Sequence, residues 1–153
     1  MRYLALDVGD RRVGRAVSDE SGSIATPLTV IHRASKAEDF ARIALLVREK
    51  GVGGLVIGHP LNADGSSGSQ VQRIERYTAA LAQALRDEGL DLPLAFCDEY
   101  LSTQRAQKAM IAAGRKIKDR RAWLDAVAAA VILQDYLDAQ RFASSDAVEE
   151  GAS

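Results

Sequence analysis

Residues 2–18 read Arg2-Tyr3-Leu4-Ala5-Leu6-Asp7-Val8-Gly9-Asp10-Arg11-Arg12-Val13-Gly14-Arg15-Ala16-Val17-Ser18. Over the first part of this stretch Tyr3, Ala5 and Asp7 fall on one face and Leu4, Leu6 and Val8 on the other, the alternation of a β-strand. Gly9 to Arg12 has the composition of a turn, and Val13 to Ser18 reads as a second strand. The pair predicts an antiparallel hairpin. It also places a carboxylate, Asp7, inside an otherwise apolar strand.

Working outward, a turn at Asp19–Gly22 leads to a third strand within Leu28–His32. Ser35 with Glu38 forms a capping box that opens a helix running to Lys50, with Phe40, Ile43, Ala44 and Val47 at helical spacing and Gly51 as the stop. Gly54 to Gly58 is a short, wholly apolar run of the kind found in buried parallel strands. Asn62–Ser69 reads as a loop, Gln70–Glu88 as a helix ended by Gly89, and Leu92–Cys97 as a fifth strand. A helix near Thr103–Ala113, a basic loop and a last helix from Arg121 to Arg141 follow, and the polar, acidic segment from Ser144 predicts a disordered tail. Three strands joined by tight turns, then helix, strand, helix, strand, helix, predicts an α/β domain over residues 1–142 followed by the tail 143–153. Its sheet is mixed and five-stranded, with antiparallel hairpin strands, parallel later strands and helices on both faces. That is the RNase H-like arrangement. Ligands of such sheets sit beyond the carboxyl ends of the parallel strands.

Composition excludes several classes. A chain of 153 residues suits one domain with a substantial core. With 47% hydrophobic and 27% charged residues it is globular. No apolar run approaches the roughly 20 residues of a membrane helix, and the short, acid-containing opening stretch does not read as a signal peptide. A cytoplasmic protein is the expectation. The single cysteine, Cys97, precludes an internal disulfide and a cysteine-based zinc site, and it reads as a small buried residue at a strand end. A formal net charge of −1 does not advertise a nucleic-acid binder. The basic residues are nevertheless grouped. Arg115 to Arg121 holds five of them in seven positions, and Arg11, Arg12 and Arg15 form a second set.

Three acids occupy positions where acids are expensive. Asp7 lies in an apolar strand, Glu99 directly follows a buried one, and Asp125 shares a helical stripe with Ala128, Ala129, Ile132 and Tyr136. Each has an ordinary reading: Asp7 as a turn residue, Glu99 as a helix cap, Asp125 as a first-turn acid facing the helix dipole. Taken together, one per element, they point to a shared hard cation, Mg²⁺ or Mn²⁺. Paired cations about 3.5–4 Å apart suit phosphodiester hydrolysis. Asp7 would then bridge, with Glu99 and Asp125 completing the two sites. Neither His32 nor His59 has an evident serine partner, which argues against a covalent triad.

The stretch Asp7 to Asp19 resembles the opening signature of the YqgF/RuvX family of Holliday-junction-resolvase-like nucleases. Further likeness lies in Val56-Ile57-Gly58-His59-Pro60-Leu61-Asn62-Ala63-Asp64-Gly65, in Asp98-Glu99-Tyr100-Leu101-Ser102-Thr103-Gln104-Arg105-Ala106, and in Leu124-Asp125-Ala126-Val127-Ala128-Ala129 with Ile132 to Leu137. It spans about residues 1–140, with the motifs in the family's order. The resemblance implies an RNase H-like fold, a cytoplasmic protein, a divalent-metal site at the three acids, and a role in maturing the 5′ end of pre-16S ribosomal RNA. Implied partners are pre-rRNA or branched DNA and the ribosome or its precursor, with no membrane; a monomer and a homodimer both remain open. Two positions depart from the family pattern. Tyr100 stands where an arginine usually follows the Asp-Glu pair, and His59 stands where an apolar residue is common.

Candidate substrate contacts are Arg11 and Arg12 in the hairpin turn, Asn62 in the Gly-Ser loop, Thr103 and Arg105 after the Asp-Glu pair, and Lys116, Lys118, Arg120 and Arg121 in the basic run. Solvated surface, a flexible connector and a helix cap are the plainer readings of these same residues. Trp123 is placed for base stacking or for core packing. Two rivals to a nuclease stand: a catalytically inert RNA-binding or assembly module on the same fold, and an actin-like phosphotransferase. The latter needs two such domains and well over twice this length.

Overall fold

The computed structural model describes residues 1–59, 68–98 and 120–152. The elements are β1 (Tyr3–Val8), β2 (Arg12–Ser18), β3 (Ala25–Pro27), β4 (Ile31–His32), α1 (Lys36–Lys50), β5 (Gly54–His59), α2 (Ser69–Asp87), β6 (Leu94–Asp98) and α3 (Arg120–Ala152). The sheet runs β3-β2-β1-β5-β6, with β4 also paired to β2. β1 and β2 are antiparallel in the register Leu4↔Val17 to Val8↔Val13, while β1–β5 and β5–β6 are parallel. The expected mixed sheet is therefore present.

One local expectation needs correction. The third strand, expected once within Leu28–His32, is two short pieces, Ala25–Pro27 and Ile31–His32, both pairing antiparallel with β2. Pro27 brings no N–H to the ladder. The Leu28 N–H donates to the Arg15 carbonyl (2.8 Å), and the Arg15 guanidinium takes the Thr29 carbonyl (3.0 Å) and hydroxyl (2.8 Å), so the chain arcs between the pieces. At the C-terminus the backbone is helical to Ala152. Ala143, Ala147, Glu149 and Glu150 are good helix formers, and no proline interrupts them.

Helix α1 follows its capping signals. The Ser35 hydroxyl accepts from the Glu38 N–H at 3.2 Å, and Gly51 closes the helix at φ 65°, a left-handed position that glycine occupies without steric cost.

The strand alternation sorts the core into two layers. Leu4, Leu6, Val8, Val13, Leu55 and Ile57 pack against α1 and α2 through Ile43, Val47, Ile74, Leu81 and Leu85. On the other face Ala5, Ala16 and Val56 pack against Ala129, Ile132, Leu133 and Leu137 of α3. Tyr3, Ala5 and Asp7 share a face by alternation, so Asp7 is directed to the α3 side.

Candidate active site

The close approach of α3 to the hairpin rests on one residue. Gly14 is paired in register with Asp7. A Cβ on Gly14 would lie 2.1 Å from the backbone oxygen of Asp125, inside any permitted contact. Opposite residues of an antiparallel pair project to the same face, with β-carbons about 4.5–5.5 Å apart. The Asp7 side chain therefore points to the face on which the Asp125 backbone rests. Two acids 118 positions apart in the chain are brought together at the carboxyl end of β1, where this architecture places its ligands.

Asp125 already has a cationic partner. Arg12, the first residue of β2, sets its Nε 2.7 Å from Asp125 Oδ2, with both side chains about a quarter to a third exposed (26% and 30%). Arg12 was expected to meet phosphate; here it meets carboxylate. Arg11 is exposed, and its carbonyl accepts from the Arg33 N–H at 2.9 Å. Arg15 is committed to Thr29, and burial, with Arg42 nearby, moves its guanidinium below its usual range.

Carboxylate oxygens are the donors that Mg²⁺ and Mn²⁺ favour, so Asp7 and Asp125 fit such an ion in chemistry and in placement. Among the described residues no group of three or more histidine, cysteine, aspartate and glutamate side chains comes together. Glu99, the third ligand expected from sequence, directly follows the last residue of β6 and lies outside the described residues.

The sequence matches the model of the family described as "RuvX: Holliday junction resolvase" over residues 1–139. The chain belongs to the RuvX family. The "Putative pre-16S rRNA nuclease" of Synechococcus sp. (strain JA-3-3Ab) is 44% identical over 142 residues, covering 93% of this chain and 86% of that protein. The protein of the same name from Roseiflexus sp. (strain RS-1) is 41% identical over 140 residues, covering 92% and 96%. Among solved structures, Thermus thermophilus RuvC in complex with a Holliday junction substrate superposes with a TM-score of 0.58 at 15% identity, covering 92% of this chain and 96% of that one. The yeast mitochondrial Holliday junction resolvase Ydc2 gives 0.51 at 12% identity, covering 88% and 77%. At such identities the likeness is one of fold alone, the RNase H-like architecture.

In this RuvX-family chain the other predicted contacts divide. Asn62, Tyr100, Thr103, Arg105, Lys116 and Lys118 lie outside the described residues, as does the expected helix at 103–113. Arg120 and Arg121 open α3, but their side chains are outside the described set. Trp123 is half-buried at the start of α3. Cys97 is also half-buried, and its thiol donates to the Ile132 carbonyl at 3.7 Å, so it packs in the α3 layer as a small residue. His59 does not join the acids. Its Nε2 lies 3.1 Å from Glu75 of α2 and its ring contacts Phe96 at 4.9 Å, on the opposite face.

Two parts of the site were missed from sequence. Gly14 was legible, since a glycine inside a strand marks close backbone approach. The Arg12–Asp125 pair joins residues 113 apart and left no local signal. Among the described residues no helix is long and apolar enough to cross a membrane.

Proposed function

We propose that this chain is a divalent-metal-dependent nuclease hydrolysing phosphodiester bonds in structured nucleic acid, with the 5′ region of precursor 16S rRNA as substrate. The carrying observation is the meeting of Asp7 and Asp125 at the carboxyl end of β1, enforced by Gly14, in a RuvX-family chain. When bound, Mg²⁺ or Mn²⁺ supplies charge neutralisation at the phosphate and an activated water. Asp7 would hold the cation from the sheet, Asp125 from α3, and Glu99 would be the third ligand. Arg12 would turn from Asp125 to the phosphate, and Arg11 would attract the strand from the exposed turn. The protein would act in the cytoplasm, on the ribosome or its precursor, as a monomer or homodimer.

Single-turnover cleavage of a labelled precursor fragment, and of a branched DNA for comparison, tests the reading in Mn²⁺ against chelator. Metal-dependent cutting of the RNA is expected. No cutting of either substrate would overturn it.

One observation favours a second reading. The Arg12–Asp125 ion pair neutralises a proposed ligand from within the chain, as suits a module that binds RNA without cutting it. Arg12→Gln separates the two. A nuclease should lose rate while binding metal at least as well, whereas an inert module should show no metal dependence in either form.

A further inference from the structure

Asp7 and Val8 are consecutive and face opposite sides of the sheet. On the α1–α2 side, Val8 and the turn after it border a pocket of about 220 Å³ lined by Arg33, Lys36, Arg73 and Arg76 over a floor of Ile74 and Tyr77. Among its described lining residues the one carboxylate is Asp10, held 3.5 Å from Arg73 in a largely exposed pair (82% and 59%). Such solvent-exposed pairs are weak and give way to a better anion. Arg33 is the fixed member. It donates to the Gly9 carbonyl at 2.8 Å, lies 3.8 Å from the buried Asp39 carboxylate, and stacks over the Tyr77 ring at 4.9 Å. A planar guanidinium held in this way is oriented before any ligand arrives.

Two further features point to an anion. Tyr77 is buried at 3% exposure and its hydroxyl has no hydrogen-bond partner among the described residues. Burial first, then the charge of Asp39, pushes that hydroxyl up to about 12, so it keeps its proton and remains a donor. The first turn of α2, which supplies Gln70 and Arg73 to the pocket, carries no acid, and its N-cap Gly68 makes no side-chain cap bond. Its leading N–H groups therefore add positive potential on the same side.

We propose that this pocket is a phosphate-binding site that anchors the backbone of an RNA strand beside the acid pair. The assignment to RNA rests on the nuclease reading above. A strand crossing the carboxyl end of β1 would meet Asp7 on one side of the sheet and the four cations on the other, so the reacting phosphate and a neighbouring one are held by different faces. The contacts are to phosphate alone and read no sequence.

The test is binding of fluorescently labelled single-stranded RNA by the full chain in EDTA, where no cutting occurs, measured by anisotropy across salt concentrations. Lys36→Gln/Arg73→Gln/Arg76→Gln should weaken binding on the order of 10-fold at low salt, for every sequence alike. The salt slope should fall by about 0.7 for each phosphate that is no longer neutralised. These three residues are exposed, and melting curves run in parallel exclude misfolding; Arg76→Gln alone should give a smaller loss of the same kind. Unchanged affinity and slope in both variants would overturn the proposal. A second arm titrates inorganic phosphate. If phosphate stabilises the wild type but not the triple variant while RNA affinity is unaltered, the pocket takes free phosphate and the RNA anchor is overturned. A wild type that binds RNA through these cations yet never cuts in Mn²⁺ upholds this proposal and overturns the nuclease reading alone.

Discussion

On the α1–α2 side the sheet presents Leu4, Leu6, Leu55 and Ile57; on the α3 side the same strands, with β2, present Ala5, Gly14, Ala16 and Val56. Bulky aliphatic side chains hold helices at ordinary packing distance, and each contributes about 1.5–3 kcal/mol when fully buried. The α3 face works differently. Its small residues let helix backbone come down onto strand backbone, and only this approach seats Asp125 beside Asp7. Stability is concentrated on one face, and the geometry of the site on the other.

The contrast breaks most severely at Gly14. Gly14→Val places carbon where the Asp125 carbonyl lies, so α3 must shift. The expected cost is about 3 kcal/mol or more, read as a lower urea midpoint, with cleavage lost even in the molecules that remain folded. Leu81→Ala, fully buried in the opposite layer, should cost a similar ~2–5 kcal/mol while the folded fraction keeps its rate. If both variants lose rate equally when corrected for folding, the division between the faces is wrong.

Next come the acids themselves. Asp7→Asn and Asp125→Asn keep shape and remove charge, so each should retain the fold and slow single-turnover cleavage on the order of 10²-fold or more. Millimolar Mn²⁺ should raise the melting temperature of the wild type and not of Asp7→Asn. Wild-type rates in Asp125→Asn would remove α3 from the site.

Ser35→Ala probes the bulky face alone. Loss of the bond accepted from the Glu38 N–H should cost about 1 kcal/mol in chemical denaturation, with cleavage unchanged. A fall in rate would mean that α1 governs the site more than its place in the stabilising layer implies.

The legibility of these features followed their range along the chain. The hairpin, the caps of α1 and the apolar run of β5 were all readable, because alternation, Ser-x-x-Glu and a trailing glycine are local signals. The split of the third strand was not, since it depends on Arg15 reaching Thr29 across the sheet edge. Asp7 and Asp125 were each conspicuous as acids on apolar faces, but their meeting through Gly14 is a backbone contact between distant segments. The cations of the pocket beside Val8 come from the β4–α1 connection, α1 and α2, so no run of sequence announced them. The run that did stand out, Arg115 to Arg121, has no described side chain.

The smallest expected effect lies at the rim of the α3 face, in the turn that joins β2 to β3. Asp19 Oδ1 accepts from the N–H groups of Ser23 (2.8 Å) and Ile24 (3.0 Å), and the Ser21 hydroxyl donates to its other oxygen. The shaped turn then meets α3: Gln134 donates to the Ser23 carbonyl and accepts from the Ala25 N–H, each at 3.0 Å. The Ser21 hydroxyl first, then the two backbone donors, hold the Asp19 carboxyl well below the usual carboxylate range. A carboxyl with a depressed folded-state pKa binds its proton more readily in the unfolded chain. Its stabilisation is complete above the unfolded value near pH 3.9 and is lost as pH falls through the folded one. Asp19→Asn should therefore match the wild type less well at pH 7 than at pH 2, with the gap in melting temperature closing on acidification. Asp138, depressed in the same direction chiefly by Arg141, is present in both proteins, so the difference between the curves isolates Asp19. The turn is solvent-exposed, so the gap should also shrink in high salt. A gap that stays constant from pH 7 to pH 2 would show that Asp19 shapes the turn without its charge, and that the α3 face carries no acid-sensitive rim.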